Sequence, residues 1–100
     1  MNNEVKLRGM EISSRLHSGI ENYVPEHMRE GVRLYVEQRI APGSFMVALL
    51  SNDLVESFAR ADDINAKAMQ RWAVFLYSFM PQNLWGSREV VQHWLSGGAS

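Results

Sequence analysis

Residues 24–65 read V-P-E-H-M-R-E-G-V-R-L-Y-V-E-Q-R-I-A-P-G-S-F-M-V-A-L-L-S-N-D-L-V-E-S-F-A-R-A-D-D-I-N. This stretch predicts a series of helices, because helix-start signals follow one another closely along it. The first signal is Pro25, whose missing N–H costs nothing in a first helical turn, with Glu26 beside it at the positive end of the helix dipole. A helix is therefore predicted from this point. Its apolar residues have the spacing of a stripe that faces a core, namely Met28, Val32, Tyr35 and Val36.

Turn residues predict where this helix ends and where the next one begins. Pro42 and Gly43 end it, because the residue before a proline is pushed out of the α region and glycine can take a positive φ. Ser44 then has the side chain of an N-cap. The short helix that it begins is apolar on every side, from Phe45 to Leu50, and we expect it to be buried on most of them.

Acidic residues predict the next two helix starts. Asp53 with Glu56 three residues later resembles a capping box, so a helix should run from Leu54 to Arg60, with Glu56 and Arg60 paired across one turn. Asp62 or Asp63 then caps the longest helix, which we expect from Ile64 to Met80. A last helix should follow Ser87 and dock Val90, Val91, Trp94 and Leu95 on the core.

The chain as a whole predicts an all-α, compact single-domain bundle of about five short-to-medium helices. Its 100 residues suit one domain, and 46% hydrophobic against 21% charged residues is a globular balance. We expect the helical core in residues 24–95 and a flexible tail in residues 96–100. Residues 1–23 are predicted to be a poorly ordered arm with a short helix from Glu11 to Ser18, because Gly9 and Gly19 interrupt a mixed apolar spacing.

Composition argues against several classes of protein. Ten basic and eleven acidic residues give a net charge of -1, so no overall positive field attracts nucleic acid or an anionic membrane. The chain has no cysteine for a disulfide or a thiol nucleophile, and its first residues lack the pattern of a signal peptide. No apolar run approaches the roughly 20 residues that span a bilayer. We expect a soluble protein of the cytoplasm.

The search for chemistry predicts no enzyme, no metal, no cofactor and no small-molecule substrate. His17, His27 and His93 are too far apart in sequence to pair as ligands on one helix face. The carboxylates of Asp53, Glu56, Asp62 and Asp63 invite an acid–base or metal interpretation, but helix capping explains them first. Phosphate-binding glycine motifs and a nucleophile elbow are absent from the sequence.

A helix-turn-helix that reads DNA is the main nucleic-acid alternative, and the residues disfavour it. The reading helix would follow Asp53, and it offers no basic side chain before Arg60 to touch phosphates or guanine edges. The aromatic residues further along lack interleaved basic residues, as a single-strand platform would need. We expect no direct contact with nucleic acid.

A group of spaced motifs resembles a widespread family of small proteins encoded by phages and mobile elements. The motifs are P-E-H-M-R-E-G-V-R-L-Y-V-E, P-G-S-F, L-S-N-D-L, R-A-D-D-I-N and W-G-S, and the resemblance covers roughly residues 24–95. Within this group the chain looks like an anti-CRISPR protein, an inhibitor of the type I-F system.

The resemblance implies a mechanism without catalysis. Such inhibitors bind protein subunits of the crRNA-guided surveillance complex in the host cytoplasm and block target DNA binding or nuclease recruitment. An acidic face can compete at a basic channel even when the net charge is small. The candidate partner-binding residues are Glu26, Glu30, Gly31, Arg33, Glu37, Asp53, Glu56, Asp62 and Asp63.

Two alternatives stay open at this point. Gly31 is costly in a helix interior, so it marks either a close approach of another backbone or partner, or a tolerated surface glycine. The predicted helix from Ile64 to Met80 has more apolar surface than a small core needs, which favours a homodimeric structural or regulatory phage protein as the alternative function.

Overall fold

The computed structural model describes residues 9–97, and within that range the chain is helical without a strand. Seven α-helices follow one another in residues 9–97: α1 Ser14–Tyr23, α2 Arg29–Gln38, α3 Ser44–Leu50, α4 Leu54–Arg60, α5 Asp63–Lys67, α6 Met69–Ser78 and α7 Arg88–Leu95. Two short 3₁₀ turns, Glu26–Met28 and Gln82–Leu84, precede α2 and α7. The predicted all-α single domain is confirmed, with more and shorter helices than the five expected.

Large aromatic side chains fill the core, and their polar atoms are bonded. Tyr35, Trp72 and Trp94 are each at most 1% exposed. The Tyr35 hydroxyl donates to the Leu84 carbonyl at 2.7 Å, and the Trp94 indole donates to the Tyr35 carbonyl at 2.8 Å. Burial raises the pKa of the Tyr35 phenol. The core therefore combines a large apolar area with hydrogen bonds that fix its geometry.

The start of the described chain is part of this core. The helix predicted for Glu11–Ser18 begins and ends later, and α1 buries Leu16 and Ile20. The Gly9 and Met10 N–H groups donate to the Glu37 and Val36 carbonyls at 2.8 Å. Residues 9–23 are thus held against α2 by backbone bonds and apolar contacts. The remainder of the predicted arm, 1–8, and residues 98–100 of the predicted tail lie outside the described residues.

The first predicted helix starts with a 3₁₀ turn and ends earlier than Pro42. Val32, Tyr35 and Val36 are fully buried, as their spacing predicted. After Gln38 the chain leaves the helix at Arg39, which has a left-handed φ of 56° although it is not a glycine. Its guanidinium lies 3.9 Å from the centre of the Trp94 ring and donates to the Trp94 carbonyl at 3.1 Å. These contacts offset the cost of that backbone conformation.

Three of the predicted N-caps are confirmed and one is corrected. Asp53 accepts from the Glu56 N–H, Asp62 from the Asn65 N–H and Ser87 from the Val90 N–H. Ser44, predicted as a cap, is instead the first residue of α3, whose N-cap is Gly43 without a side-chain bond. The helix itself is buried as expected, because its apolar residues face the core on nearly all sides.

The predicted long helix from Ile64 to Met80 is two helices joined at Ala68. Ala68 has φ −98° and ψ 12°, and its N–H is shared between the Ile64 and Asn65 carbonyls, each at 3.1 Å. Asn65 is only 2% exposed, and its side-chain oxygen accepts from the Trp72 indole at 3.1 Å. This buried bond ties α5 to α6 across the break. Ile64, where the predicted helix began, lies in α5 and is 59% exposed.

Candidate functional site

The candidate acidic residues near the helix starts serve the architecture. Asp53 caps α4 and also receives a bond from Arg88 at 3.4 Å, while Glu56 pairs with Arg60 at 2.6 Å. Asp62 caps α5 and lies 2.9 Å from the ring of His27. Bonds from the Asn65 N–H and from His27 lower the pKa of the Asp62 carboxyl. These three carboxylates are therefore already engaged within the chain.

Three other carboxylates are exposed on α2 and on the 3₁₀ turn that precedes it. Glu26 lies in the 3₁₀ turn, and Glu30 and Glu37 lie seven residues apart on one face of α2. Within residues 9–97 none of the three has an ion-pair partner. We call Glu26, Glu30 and Glu37 the α2 acidic face. Asp63, in the first turn of α5, is likewise exposed and has no ion-pair partner in the described chain.

The two arginines beside the α2 acidic face are bound to α1. Arg33 pairs with the Glu21 carboxylate, and Arg29 lies 3.6 Å from it. Arg29 also donates to the Val24 and Glu21 carbonyls at 2.9 and 3.0 Å. Arg33, predicted as a partner contact, therefore first joins α1 to α2. Because Glu21 balances part of their charge, these arginines leave the α2 acidic face negative.

Gly31 is not needed for a close approach inside the domain. A Cβ at this position would meet only the Met46 sulfur, at 3.9 Å, which is ordinary contact. Gly19 is the opposite case, since a Cβ there would lie 2.5 Å from the Phe79 ring. Packing therefore requires Gly19 where α1 lies on the end of α6. It also requires Gly9, where a Cβ would lie 1.9 Å from the Val36 carbonyl oxygen. Within the domain, Gly31 behaves as a tolerated helix glycine.

A second exposed surface is apolar and lies on α4 and α6. We call it the α4–α6 face, and it consists of Leu54 (65% exposed), Val55 (79%), Phe58 (49%), Val74 (36%) and Tyr77 (85%). On α4 the three apolar residues span about 100° of the helix surface, and the residue that the helix buries is the small, polar Ser57. α4 therefore turns its apolar side outward, because Ser57 occupies the inner side.

A groove of about 290 Å³ runs between the two helices. Leu54 and Tyr77 form its two rims, and Leu49, Leu76 and Trp85 line it more deeply. Asp53 is the only acidic residue of the lining, and Arg88 already pairs with it. The groove is therefore apolar and close to neutral.

Sequence reasoning did not single out Leu54, Val55 and Phe58 as a surface. Their spacing is that of an ordinary core stripe, and the sequence alone gives no sign that Ser57 takes the inner side. The excess of apolar residues on the predicted helix from Ile64 to Met80 was the available signal, and it identified only the α6 half of the surface, through Val74 and Tyr77.

The histidines of the described residues lie at the surface. In residues 9–97 no group of three or more His, Asp and Glu side chains is placed to hold a metal ion. His17 and His93 are exposed, and His27 is engaged with Asp62. Across the same range, every helix is too short or too polar to cross a membrane. What the surface does offer is one acidic and one apolar face, which are features of binding.

Comparison with protein-family models, with curated proteins and with solved structures gives no match.

Proposed function

We propose that this protein is a phage-encoded inhibitor that binds the type I-F crRNA-guided surveillance complex and blocks target DNA binding or nuclease recruitment, without catalysing a reaction. The proposal combines the motif resemblance with one structural observation, the α2 acidic face. The motif that resembles the family most extensively, residues 25–37, forms the 3₁₀ turn and most of α2. Its exposed glutamates Glu26, Glu30 and Glu37 have no ion-pair partner within residues 9–97.

The segment that carries the α2 acidic face is more negative than the chain as a whole. Residues 21–38 hold four glutamates and two arginines, a net charge of -2, whereas the whole chain has a net charge of -1. The rest of the chain therefore carries +1. A surveillance complex must present positive charge where it holds nucleic acid, and a fixed negative face is attracted there even when the net charge of its chain is small.

The residues of the other motifs mainly stabilise the fold. This reduces the set of candidate contact residues. Asp53, Asp62 and Ser87 cap helices, and Asn65 bonds Trp72 in the core. Such residues are occupied inside the domain. Glu26, Glu30 and Glu37 perform none of these tasks, so the proposed contact is assigned to them.

The experiment is a competition between the protein and target DNA for purified type I-F complex. Glu26→Lys, Glu30→Lys and Glu37→Lys are compared singly and together with the wild-type chain in a DNA mobility-shift assay. Because each reversal turns an attraction into a repulsion, we expect each to weaken inhibition by about tenfold, and the triple variant to abolish it.

Glu89→Lys is the matched control, since Glu89 is an exposed glutamate on α7 without an ion pair in the described chain. It should inhibit like the wild-type chain. If the wild-type chain leaves both DNA binding and target cleavage unchanged, the inhibitor function is wrong. If inhibition survives all three reversals, the function stands and the α2 acidic face is not the contact.

A further inference from the structure

The α4–α6 face is large for a surface that water alone covers. Scaling the exposed fractions of its five residues by the usual areas of such residues gives on the order of 600 Å² of exposed surface, most of it apolar, with some backbone and the Tyr77 hydroxyl included. Soluble monomers rarely leave a contiguous apolar patch larger than roughly this size exposed. A standard protein interface buries about 800 Å² on each partner. The patch with its polar border is therefore large enough for a stable interface.

The shape of the face places a ridge beside a groove. From the groove outward, the surface of α4 presents Leu54, then Phe58, then Val55, because residues follow one another at about 100° around the helix. The adjoining groove is lined by Leu49, Leu76 and Trp85. An element that projects lies directly next to a depression of matching apolar character.

The charges around the face favour a partner that carries the same surface. Asp53 is paired with Arg88 and Glu56 with Arg60, so the α4 side of the border has no excess of either sign. A charged surface would repel its own copy across a two-fold axis, whereas a neutral apolar one does not. A partner selected by opposite charge would find little to complement here, in contrast to the α2 acidic face.

From these observations we propose that the chain forms a two-fold symmetric homodimer through the α4–α6 face, with the α4 ridge of each copy seated in the groove between α4 and α6 of the other. A ridge next to a groove is self-complementary under a two-fold rotation, since each copy gives and receives the same contact. The α4–α6 face contains none of the residues of the α2 acidic face. The dimer does not depend on the proposed inhibition, and each can fail without the other.

The test is the mass of the purified full chain in solution, measured by sedimentation equilibrium over a wide concentration range. Wild-type protein should approach twice 11.4 kDa as its concentration rises. Val55→Glu places a carboxylate in the first turn of α4, where the helix dipole favours it, so the fold should be retained. In the dimer the same charge is buried twice, and we expect the dissociation constant to rise by about a hundredfold or more.

Two further variants define the interface. Tyr77→Lys, on α6, should weaken the dimer in the same way, since Tyr77 forms the opposite rim of the groove. Ile40→Glu is the matched control, because Ile40 is 44% exposed but lies outside the α4–α6 face. It should leave the mass unchanged. Circular dichroism of each variant verifies that it is folded.

Two outcomes overturn the proposal. A wild-type chain that remains monomeric at about 1 mM does not use this face for self-association. A wild-type dimer that folded Val55→Glu and Tyr77→Lys variants also form, with unchanged dissociation constants, is built through another surface. A dimer that both variants dissociate and Ile40→Glu does not establishes the α4–α6 face as its interface.

Discussion

The aromatic core and the α4–α6 face use the same kinds of residue at the same helical spacing, yet one is buried and the other exposed. In the core, Trp72 and Trp94 are at most 1% exposed and their indole N–H groups donate to acceptors within the chain. On the face, Val55 and Tyr77 are 79% and 85% exposed. A helical apolar stripe is therefore buried only where a neighbouring element covers it.

Small or polar residues on the inner sides of the helices decide which stripes are covered. Gly19 lets α1 lie against Phe79, and Ser57 is the buried residue of α4, where its hydroxyl donates to the Asp53 carbonyl at 2.6 Å. In α1 the small residue brings an apolar helix into the core. In α4 it occupies the inner side and leaves Leu54, Val55 and Phe58 outside.

Truncation of a core tryptophan should have the largest effect. Trp72→Ala removes a fully buried ring that packs edge-on against Phe45 and Phe75 at 5.8 and 6.1 Å, and it leaves the Asn65 side-chain oxygen without its donor. We expect a loss of about 3–5 kcal/mol in the free energy of unfolding. Urea denaturation followed by circular dichroism measures it. A loss below about 1 kcal/mol would contradict the assigned role of this ring.

A pair of glycine substitutions tests the contact between α1 and α6. Gly19→Ala puts a methyl group 2.5 Å from the Phe79 ring and should cost about 1–3 kcal/mol. Gly31→Ala is the control in α2, where the nearest atom is 3.9 Å away, and it should be neutral or stabilise the fold by up to about 1 kcal/mol. Both are measured by thermal and urea unfolding. Equal effects at the two sites would mean that α1 does not pack as described.

The acid dependence of stability should identify the Asp62 cap. Because its pKa is lowered below 3.8 in the folded chain, the ionised carboxylate stabilises the fold above the unfolded pKa, and this contribution is lost as the pH falls through the folded pKa. Asp62→Asn keeps a capping side chain but cannot ionise. Its unfolding free energy should be lower than that of the wild-type chain at neutral pH, and the two should converge in acid.

Asp63→Asn is the control for this titration, since Asp63 is exposed and has no ion-pair partner in residues 9–97. Because Asp63 makes no capping bond, Asp63→Asn should lower the free energy of unfolding at neutral pH by less than Asp62→Asn does. Urea denaturation at a series of pH values gives both curves. Parallel curves for Asp62→Asn and the wild-type chain would show that Asp62 makes no such contribution.

Substitution on the exposed face should have the smallest effect on the fold. Leu54→Gln alters a side chain that is 65% exposed, so the free energy of unfolding should change by no more than about 0.5 kcal/mol when measured on dilute protein. The expected loss in the free energy of unfolding is several kcal/mol smaller than that for Trp72→Ala. A loss of several kcal/mol at Leu54 in dilute solution would mean that this residue belongs to the core of a single chain.

Much of the fold could be predicted because it depends on neighbours in sequence. The caps at Asp53, Asp62 and Ser87 form from bonds between residues three apart, and α4 has the predicted bounds. The end of α2 could not be predicted, because Arg39 takes its left-handed conformation where it contacts Trp94, 55 residues away in sequence. The break at Ala68 also escaped prediction, since it accompanies a buried bond between Asn65 and Trp72.

Of the candidate site, the sequence predicted that Asp53 and Asp62 cap helices, but not which carboxylates pair with a basic side chain. The tertiary structure places Asp53 beside Arg88 and Asp62 beside His27, and it leaves Glu30 and Glu37 exposed. The apolar groove needs two helices that are separate in the chain, so no local pattern contains it. The groove is lined by residues of both α4 and α6.

The sequence predicts an all-α domain, and it predicts where most of the helices begin. Both predictions are possible because capping and helical periodicity act over three to seven residues. The tertiary structure is needed to show which apolar stripes are buried, which carboxylates lack an ion-pair partner and which glycines the packing requires. Those properties depend on contacts between residues far apart in the chain. They also set the two surfaces to which we assign its interactions.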